Sequence, residues 1–237
     1  MTVINKAEQR QLLLNLRPEQ PPSFDNFVTG KNSELVARLA ALATPGVCDQ
    51  IYLWGPTGSG RSHLLHAALT AARSNARPAC LIEATRLGEH LAPAPGSLVI
   101  LDDIEELSEV AQITLFRTFN AARLTGLALL MSGQQPPLRL QATLREDLRT
   151  RVGSTLIYEL QPLSEVEKAD ALRQHGRERG MNLEESLIDY LLRHGRRDLP
   201  TLLAVVDALD RTSLEQQRPL TLPLLREILQ TSLEFGE

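Results

Sequence analysis

The most informative segment of the sequence is Gln50-Ile51-Tyr52-Leu53-Trp54-Gly55-Pro56-Thr57-Gly58-Ser59-Gly60-Arg61-Ser62. Its first five residues are mostly apolar and predict a strand, whereas the three glycines that follow predict a tight turn. We expect a helix from Arg61 to about residue 73. The turn has the spacing of a Walker A phosphate loop, and the strand before it and the helix after it are the context that this motif requires.

The turn offers several groups that could hold a phosphate. Its glycines let backbone N–H groups point at phosphate oxygens, and the following helix adds its positive N-terminal end. The predicted phosphate-binding residues are Gly55, Thr57, Gly58, Ser59, Gly60 and Arg61. Arg61 replaces the usual Lys and is bulkier, planar and forked, so we expect an altered phosphate geometry that favours ADP. A purely structural glycine turn is the alternative.

An acidic pair further along the chain completes the pattern. The apolar run Leu98–Leu101 predicts a strand covered on both faces, and Asp102 and Asp103 follow it directly. If this is a Walker B motif, Asp102 holds Mg²⁺ through water and Asp103 polarises the attacking water. The Ser62 hydroxyl of the phosphate loop is then a further Mg²⁺ ligand. Asp is shorter than the Glu common at this second position, so we expect slow hydrolysis. The alternative is a strand that ends in a solvated acidic turn.

Strand and helix patterns alternate around these motifs up to Pro162. Further strands are predicted at 79–82, 127–131 and 156–160, and helices at 31–43 and 107–123. Such alternation favours an α/β domain with a mostly parallel sheet, which we place at residues 23–161.

Only helical patterns follow Pro162. Ser164 and Glu167 have the spacing of a capping box, and Asp198 is a second predicted N-cap. Apolar positions predict further helices around residues 187–192 and over 221–233. The sequence therefore predicts a small all-helical domain at residues 162–237.

Residues 1–22 differ from the rest of the chain. Prolines at 18, 21 and 22 fix the backbone φ angle and remove hydrogen-bond donors, so this segment predicts an extended, flexible tail.

Composition excludes several classes of protein. The 237 residues carry a net charge of −4, which argues against strong direct binding to DNA. The longest apolar runs are too short to span a membrane, and the N-terminus lacks a secretion signal. Cys48 and Cys80 lie far apart, so a reducing, cytoplasmic location is expected.

Several motifs together resemble the AAA+ module of the bacterial replication initiator DnaA. They are Ser23-Phe24-Asp25-Asn26-Phe27-Val28, the phosphate loop followed by His63-Leu64-Leu65-His66-Ala67, Asp102-Asp103-Ile104-Glu105, Gln161-Pro162-Leu163-Ser164 and Leu209-Asp210-Arg211. More closely, the chain resembles the Hda family, the DnaA-related regulators of replication restart. The resemblance implies an AAA+ P-loop fold with a helical lid, and it adds Phe27, Val28 and His63 to the nucleotide-binding residues. The chain ends near residue 237, so we expect no DNA-binding domain of the DnaA type.

The resemblance also implies three further positions. Arg151 takes the place of the arginine finger, which would act in trans on a neighbouring protein's nucleotide. Gln134 stands in the sensor 1 segment where relatives carry Asp, and Pro200 replaces the sensor 2 arginine. Arg196 or Arg197 could substitute for that arginine, although a basic cluster of this kind is more often a solvated helix end.

The tail resembles a clamp-binding peptide. Gln11, Leu12, Leu14 and Leu16 match the short Gln-Leu-x-Leu pattern through which such proteins bind the β sliding clamp of DNA polymerase III. A flexible segment of this kind can order in an apolar groove as it binds. The alternative is an apolar stretch that folds back on its own domain.

These features lead to a functional hypothesis, with two alternatives. The protein would bind ADP (or ATP) with Mg²⁺, attach to the DNA-loaded clamp, and use Arg151 to stimulate hydrolysis of DnaA-bound ATP, which prevents re-initiation of DNA replication. It would then be an activator of hydrolysis by DnaA more than an efficient ATPase, and it could form homo-oligomers. The alternatives are an autonomous AAA+ ATPase, such as a helicase loader, and a pure binding module with an empty nucleotide site.

Overall fold

A five-stranded parallel sheet forms the centre of the first part of the chain. The computed structural model describes residues 21–195 and 198–233. The strands are β1 (Gln50–Trp54), β2 (Ala79–Glu83), β3 (Leu98–Asp102), β4 (Ala128–Gly133) and β5 (Leu156–Glu159). Their order in the sheet is β2-β3-β4-β1-β5, and all four neighbouring pairs are parallel. The predicted α/β class with a parallel sheet is confirmed.

Four helices belong to this unit: α1 (Ser33–Leu42), α2 (Arg61–Ser74), α3 (Glu109–Thr125) and α4 (Glu146–Gly153). Apolar side chains on the two faces of the sheet belong to two separate hydrophobic clusters, as expected when helices cover both sides. One cluster includes Val99 and Leu101 of β3, and the other includes Ile100 of the same strand. This alternation buries β3 on both faces, whereas β5 at the edge of the sheet stays largely exposed.

Helix ends follow local chemistry. The predicted helix at 107–123 is displaced to Glu109–Thr125 because the Ser108 hydroxyl accepts a 3.2 Å hydrogen bond from the Ala111 N–H. Gly126, with φ at +68°, ends the helix in a left-handed conformation that glycine adopts without strain.

Residues from Ser164 onward form a second compact unit, distinct from the unit Pro22–Leu163. It contains the helices α5 (Glu165–Glu178), α6 (Glu185–His194), α7 (Leu199–Gln216) and α8 (Leu222–Leu233). Both predicted caps are present: Ser164 and Glu167 form a capping box, and the Asp198 carboxylate accepts a 3.0 Å bond from the Thr201 N–H. The core of this unit is made mainly of leucine and valine. The prediction that this part of the chain is all-helical is therefore confirmed. The predicted start of the domain at residue 162 stays a prediction.

Two groups of predictions fall on parts of the chain that the structure does not describe. The clamp-binding residues Gln11, Leu12, Leu14 and Leu16, with most of the predicted tail, lie outside the described residues, as do Arg196 and Arg197. Among residues 21–195 and 198–233, no helix combines the length and the apolar character that a membrane crossing needs.

Candidate nucleotide-binding site

The sheet brings three predicted segments to one edge. Because all strands are parallel, their carboxyl ends lie on the same side, where open α/β sheets commonly bind ligands. The phosphate loop follows β1, Asp103 follows β3, and Gln134 follows β4. β1 and β3 each pair with β4, so the loop and the acidic pair flank the sensor 1 segment.

The phosphate loop needs its glycines for backbone conformation. Gly58 and Gly60 have φ angles of +78° and +102°, a region that other residues enter only with strain. At Gly60 a Cβ would also lie 2.9 Å from Cε2 of Phe27, closer than a side-chain contact allows. The Gly55 N–H donates to the Gly133 carbonyl at 3.2 Å and ties the loop to the end of β4.

A buried polar atom in this loop suits an oxygen-rich ligand. The Ser59 hydroxyl is buried and has no hydrogen-bond partner within the described part of the chain. A buried polar atom without a partner costs free energy, so such atoms commonly face a ligand or an unplaced solvent molecule. With glycine-rich backbone around it and α2 starting at Arg61, the loop fits a phosphate group.

Oxygen groups suited to Mg²⁺ lie next to the loop. The Ser62 hydroxyl donates a 2.9 Å hydrogen bond to Oδ2 of Asp102. The other carboxylate oxygen, Oδ1, accepts a hydrogen bond from the buried hydroxyl of Ser132. Mg²⁺ takes oxygen ligands and is commonly held by one or two carboxylates together with substrate phosphates. The hydroxyl and the carboxylate therefore fit this ion chemically.

Arg61 makes a contact that the sequence did not predict. Its side chain is only 8% exposed, and its Nη1 lies 2.5 Å from Oδ1 of Asp103. Asp103 has a φ angle of +52°, and its N–H donates a 3.0 Å bond to the Ser132 hydroxyl. The basic residue of the phosphate loop and the second acidic residue of the Walker B pair thus form one ion pair.

Ser132, Glu105 and Tyr52 belong to the same site, and sequence reasoning missed them as site residues. Glu105 Oε1 accepts a 2.6 Å bond from the N–H of Gln134, so the predicted sensor 1 segment is held by its backbone. The Tyr52 hydroxyl donates a 2.6 Å bond to the carbonyl of Gln135. Burial, followed by the negative charge of Glu105, raises the pKa of Tyr52 well above its usual value, so this hydroxyl remains a donor.

Phe27 and His63 lie beside the phosphate loop. Their ring centroids are 5.4 Å apart, and Nε2 of His63 lies 3.0 Å from the Ser23 carbonyl. Phe27 also approaches Gly60, as described above. Val28 is half-buried next to Phe27 in the chain. The segment 23–28 is therefore anchored to α2 beside the loop.

Arg151 lies near the end of α4 and is exposed to solvent. Its guanidinium lies 5.7 Å from the ring centroid of Phe116. No carboxylate among the described residues forms an ion pair with it, in contrast to Arg145 of the same segment, which pairs with Asp147. Exposure and the lack of a carboxylate partner leave this cation available for an external anion.

The predicted sensor 2 position lies in the second unit. Pro200 occupies the first turn of α7, where its missing N–H is not needed by the helix. It carries no charge, so its side chain cannot replace an arginine at a nucleotide.

A family comparison identifies the second unit. Residues 165–229 match the family model described as "Hda, lid domain". These residues form an Hda lid domain. The match runs from the start of α5 into α8.

Solved structures of DnaA share the fold over most of this chain. Domain III of DnaA from Thermotoga maritima has 18% identity and a TM-score of 0.69, with 91% of this chain and 98% of that chain covered. AMPPCP-bound DnaA from Aquifex aeolicus has 22% identity and a TM-score of 0.70, over 82% of this chain and 66% of that chain. A DnaA bound to AMPPCP and single-stranded DNA has 22% identity and a TM-score of 0.67, over 86% and 69%.

The chain has a DnaA-like AAA+ fold and ends in an Hda lid. The AAA+ P-loop fold that the family resemblance implies is therefore confirmed. The Hda lid and the fold together support a DnaA-related protein of replication control.

Proposed function

We propose that this protein, bound to the DNA-loaded sliding clamp, stimulates hydrolysis of DnaA-bound ATP to ADP and so prevents re-initiation of replication. The Hda lid and the DnaA-like fold support DnaA as the partner. Arg151 is the observation that carries the proposal. It is an exposed cation on α4 without a carboxylate partner among the described residues.

Arg151 would act on the nucleotide of the partner. A planar guanidinium donates several hydrogen bonds and stabilises the charge that develops on a transferring phosphoryl group. An arginine supplied in trans contributes about 10³–10⁵ in rate in known systems. Its contact with the Phe116 ring is weak enough to exchange for a phosphate, because exposed cation–π pairs contribute only about 0.5–1 kcal/mol.

The protein's own site would bind ADP (or ATP) with Mg²⁺. The unpartnered Ser59 hydroxyl, the glycine backbone and the start of α2 suit the phosphates, whereas Ser62 and Asp102 suit Mg²⁺. Phe27 and His63 lie beside the loop, and Val28 follows Phe27 in the chain. That two of the DnaA structures are described as bound to AMPPCP supports nucleotide binding here by similarity of fold.

The clamp-binding part of the proposal depends on the sequence alone. Gln11, Leu12, Leu14 and Leu16 would dock in an apolar groove of the β sliding clamp and bring the protein to DNA without direct DNA binding. Homo-oligomers and a cytoplasmic location remain predictions.

A reconstituted single-turnover reaction tests the function. DnaA loaded with γ-labelled ATP is mixed with clamp on DNA and with the parent protein or a variant. We expect Arg151→Ala to lower stimulation at least about 10³-fold, and Arg149→Ala on the same helix to retain most of it. Gln11→Ala with Leu12→Ala should abolish stimulation while a clamp-independent property, nucleotide binding, is kept. Undiminished stimulation by Arg151→Ala would exclude the finger.

The autonomous ATPase is the competing function. It requires Asp103 to polarise water, and multiple-turnover hydrolysis by the isolated protein would be lost in Asp103→Ala. The ion pair with Arg61 argues against it, because one carboxylate oxygen of Asp103 already accepts from a buried guanidinium at 2.5 Å. A pure binding module is the third class, and a nucleotide that co-purifies with the protein would exclude it.

A further inference from the structure

Two arginines of the lid differ from its other basic residues in having no carboxylate partner. Several basic side chains form ion pairs there: Lys168 with Glu165, Arg173 with Asp170 and Glu185, Arg179 with Asp207, and Arg218 with Glu227. In contrast, Arg193 and Arg226 are exposed, and neither forms an ion pair within residues 164–195 and 198–233. Their positive charge is therefore available to a partner outside the lid.

The two arginines lie around one aromatic residue of α6. The Arg226 guanidinium, on α8, lies 5.1 Å from the ring centroid of Tyr190, and the ring centroid of His194 lies 4.2 Å from that of Tyr190. Arg193 follows Tyr190 by three residues, and residues three or four apart are neighbours on a helix surface. Arg193, His194, Tyr190 and Arg226 therefore form one surface, which we call the lid patch.

Acidic residues do not neutralise the lid patch. The positions three and four residues from Arg226 on α8 are all uncharged: Leu222, Pro223, Leu229 and Gln230. Asp189 lies one turn before Arg193 on α6, but its exposed carboxylate forms no ion pair with that arginine. Glu227 follows Arg226 in the chain and pairs with Arg218 at 3.3 Å. Two arginines near one unpaired carboxylate leave a positive surface, which favours an anionic partner.

We propose that the lid patch binds the phosphate backbone of duplex DNA. A guanidinium donates several hydrogen bonds that match a phosphate group, and contacts of this kind do not depend on base sequence. The ring of Tyr190 holds the Arg226 side chain, which lowers the entropy lost when that side chain binds.

The biological role of this contact rests on the clamp attachment proposed above. With only two arginines and a net charge of −4 on the whole chain, the free protein binds DNA weakly. Once the chain is attached to a clamp on DNA, binding of the lid patch becomes an intramolecular step. A weak contact then adds to the affinity because the effective concentration of DNA is high.

Fluorescence anisotropy of a labelled duplex, measured with the full chain over a range of salt concentrations, tests the lid patch. We expect Arg193→Gln and Arg226→Gln each to reduce the slope of log Kd against log salt by about 1, and to weaken binding equally for unrelated sequences. Arg177→Gln is the matched control. It removes the same charge from an exposed arginine of α5 outside the patch, and it should leave the slope unchanged.

Two further comparisons separate charge from structure and DNA from protein. Arg193→Lys and Arg226→Lys keep the charge and should keep the slope. The full chain should bind a clamp loaded on duplex DNA more tightly than a clamp alone, whereas the chain with both Gln substitutions should bind the two equally.

The possible outcomes distinguish the lid patch from the proposed function. If the Gln variants bind duplex with the slope of the parent, or if the parent binds no duplex at low salt, DNA binding by the lid patch is refuted and clamp attachment is unaffected. Loss of binding to the clamp alone in the Gln variants would assign the patch to an acidic protein surface and refute DNA. If the parent binds duplex through the patch but binds no clamp, the clamp-dependent function fails and the DNA surface stands.

Discussion

Ser132 gives the sharpest prediction about how the site is held together. Its buried hydroxyl donates to Oδ1 of Asp102 and accepts a 3.0 Å bond from the N–H of Asp103. Ser132→Ala removes both bonds and leaves a carboxylate oxygen and a backbone N–H without this partner. A hydrogen bond to a charged group contributes about 1.5–3 kcal/mol and a neutral one about 1 kcal/mol, so we expect a loss of about 3 kcal/mol in the free energy of unfolding.

The single tryptophan makes this measurable in the α/β unit alone. Trp54 ends β1, and it pairs in the sheet with Gly133, the residue after Ser132. Tryptophan fluorescence during urea unfolding therefore follows this unit without a contribution from a tryptophan in the lid. Ser154→Ala is the matched control, because its exposed hydroxyl donates to the Arg151 carbonyl and its loss should change stability by less than about 0.5 kcal/mol.

A Ser132→Ala protein with the same unfolding midpoint as the Ser154→Ala control would overturn this expectation. Equal midpoints would mean that β4 does not position the acidic pair. A lowered midpoint with unchanged nucleotide affinity would still support the structural role and would limit Ser132 to stability.

Two further predictions concern the framework of each unit. Arg77 is fully buried and donates to the carbonyls of Gly96, Leu42, Thr44 and Ser97. Arg77→Met should therefore lower the free energy of unfolding by at least about 3 kcal/mol, whereas the exposed control Arg73→Met should not. Equal urea midpoints for the two variants, measured by Trp54 fluorescence, would contradict this. In the lid, Ser164→Ala breaks the capping box and should cost about 1 kcal/mol, which circular dichroism during thermal unfolding would detect as an earlier loss of helix; Ser164→Asp should retain most of that stability, and an unchanged profile for Ser164→Ala would argue against the cap.

The predictions that succeeded depend on local sequence. The strand at Gln50–Trp54, the turn after it and the cap at Ser164 each follow from a few adjacent residues with a strong preference for one conformation. The P-loop and the acidic pair also identify the edge of the sheet where the site forms, because both follow strands that must be parallel in an α/β fold.

The contacts that the sequence did not predict are made between distant residues. Arg61 meets Asp103, and Ser132 meets Asp102, only because β4 lies between β1 and β3. A strand order of this kind is set by packing of the whole sheet and has no local signal. Glu105 and Tyr52 were overlooked for the same reason, since neither stands at a motif position of the phosphate loop.

The burial of Arg77 is another feature that the sequence did not predict. An arginine without a neighbouring carboxylate in the sequence is usually solvated, yet this one is enclosed by backbone carbonyls. Burial lowers its pKa from the usual value, and hydrogen bonds to four backbone carbonyls stabilise the guanidinium. Only the closure of the loops around it creates that environment.

In the proposed function, Arg151 acts on a nucleotide bound to another protein. Two parallel reactions with DnaA and clamp on DNA test this, one with γ-labelled ATP bound only to DnaA and one with the label bound only to this chain. We expect rapid, Arg151-dependent release of labelled phosphate in the first reaction and little in the second. Release chiefly from this chain's own nucleotide, unaffected by Arg151→Ala, would contradict it.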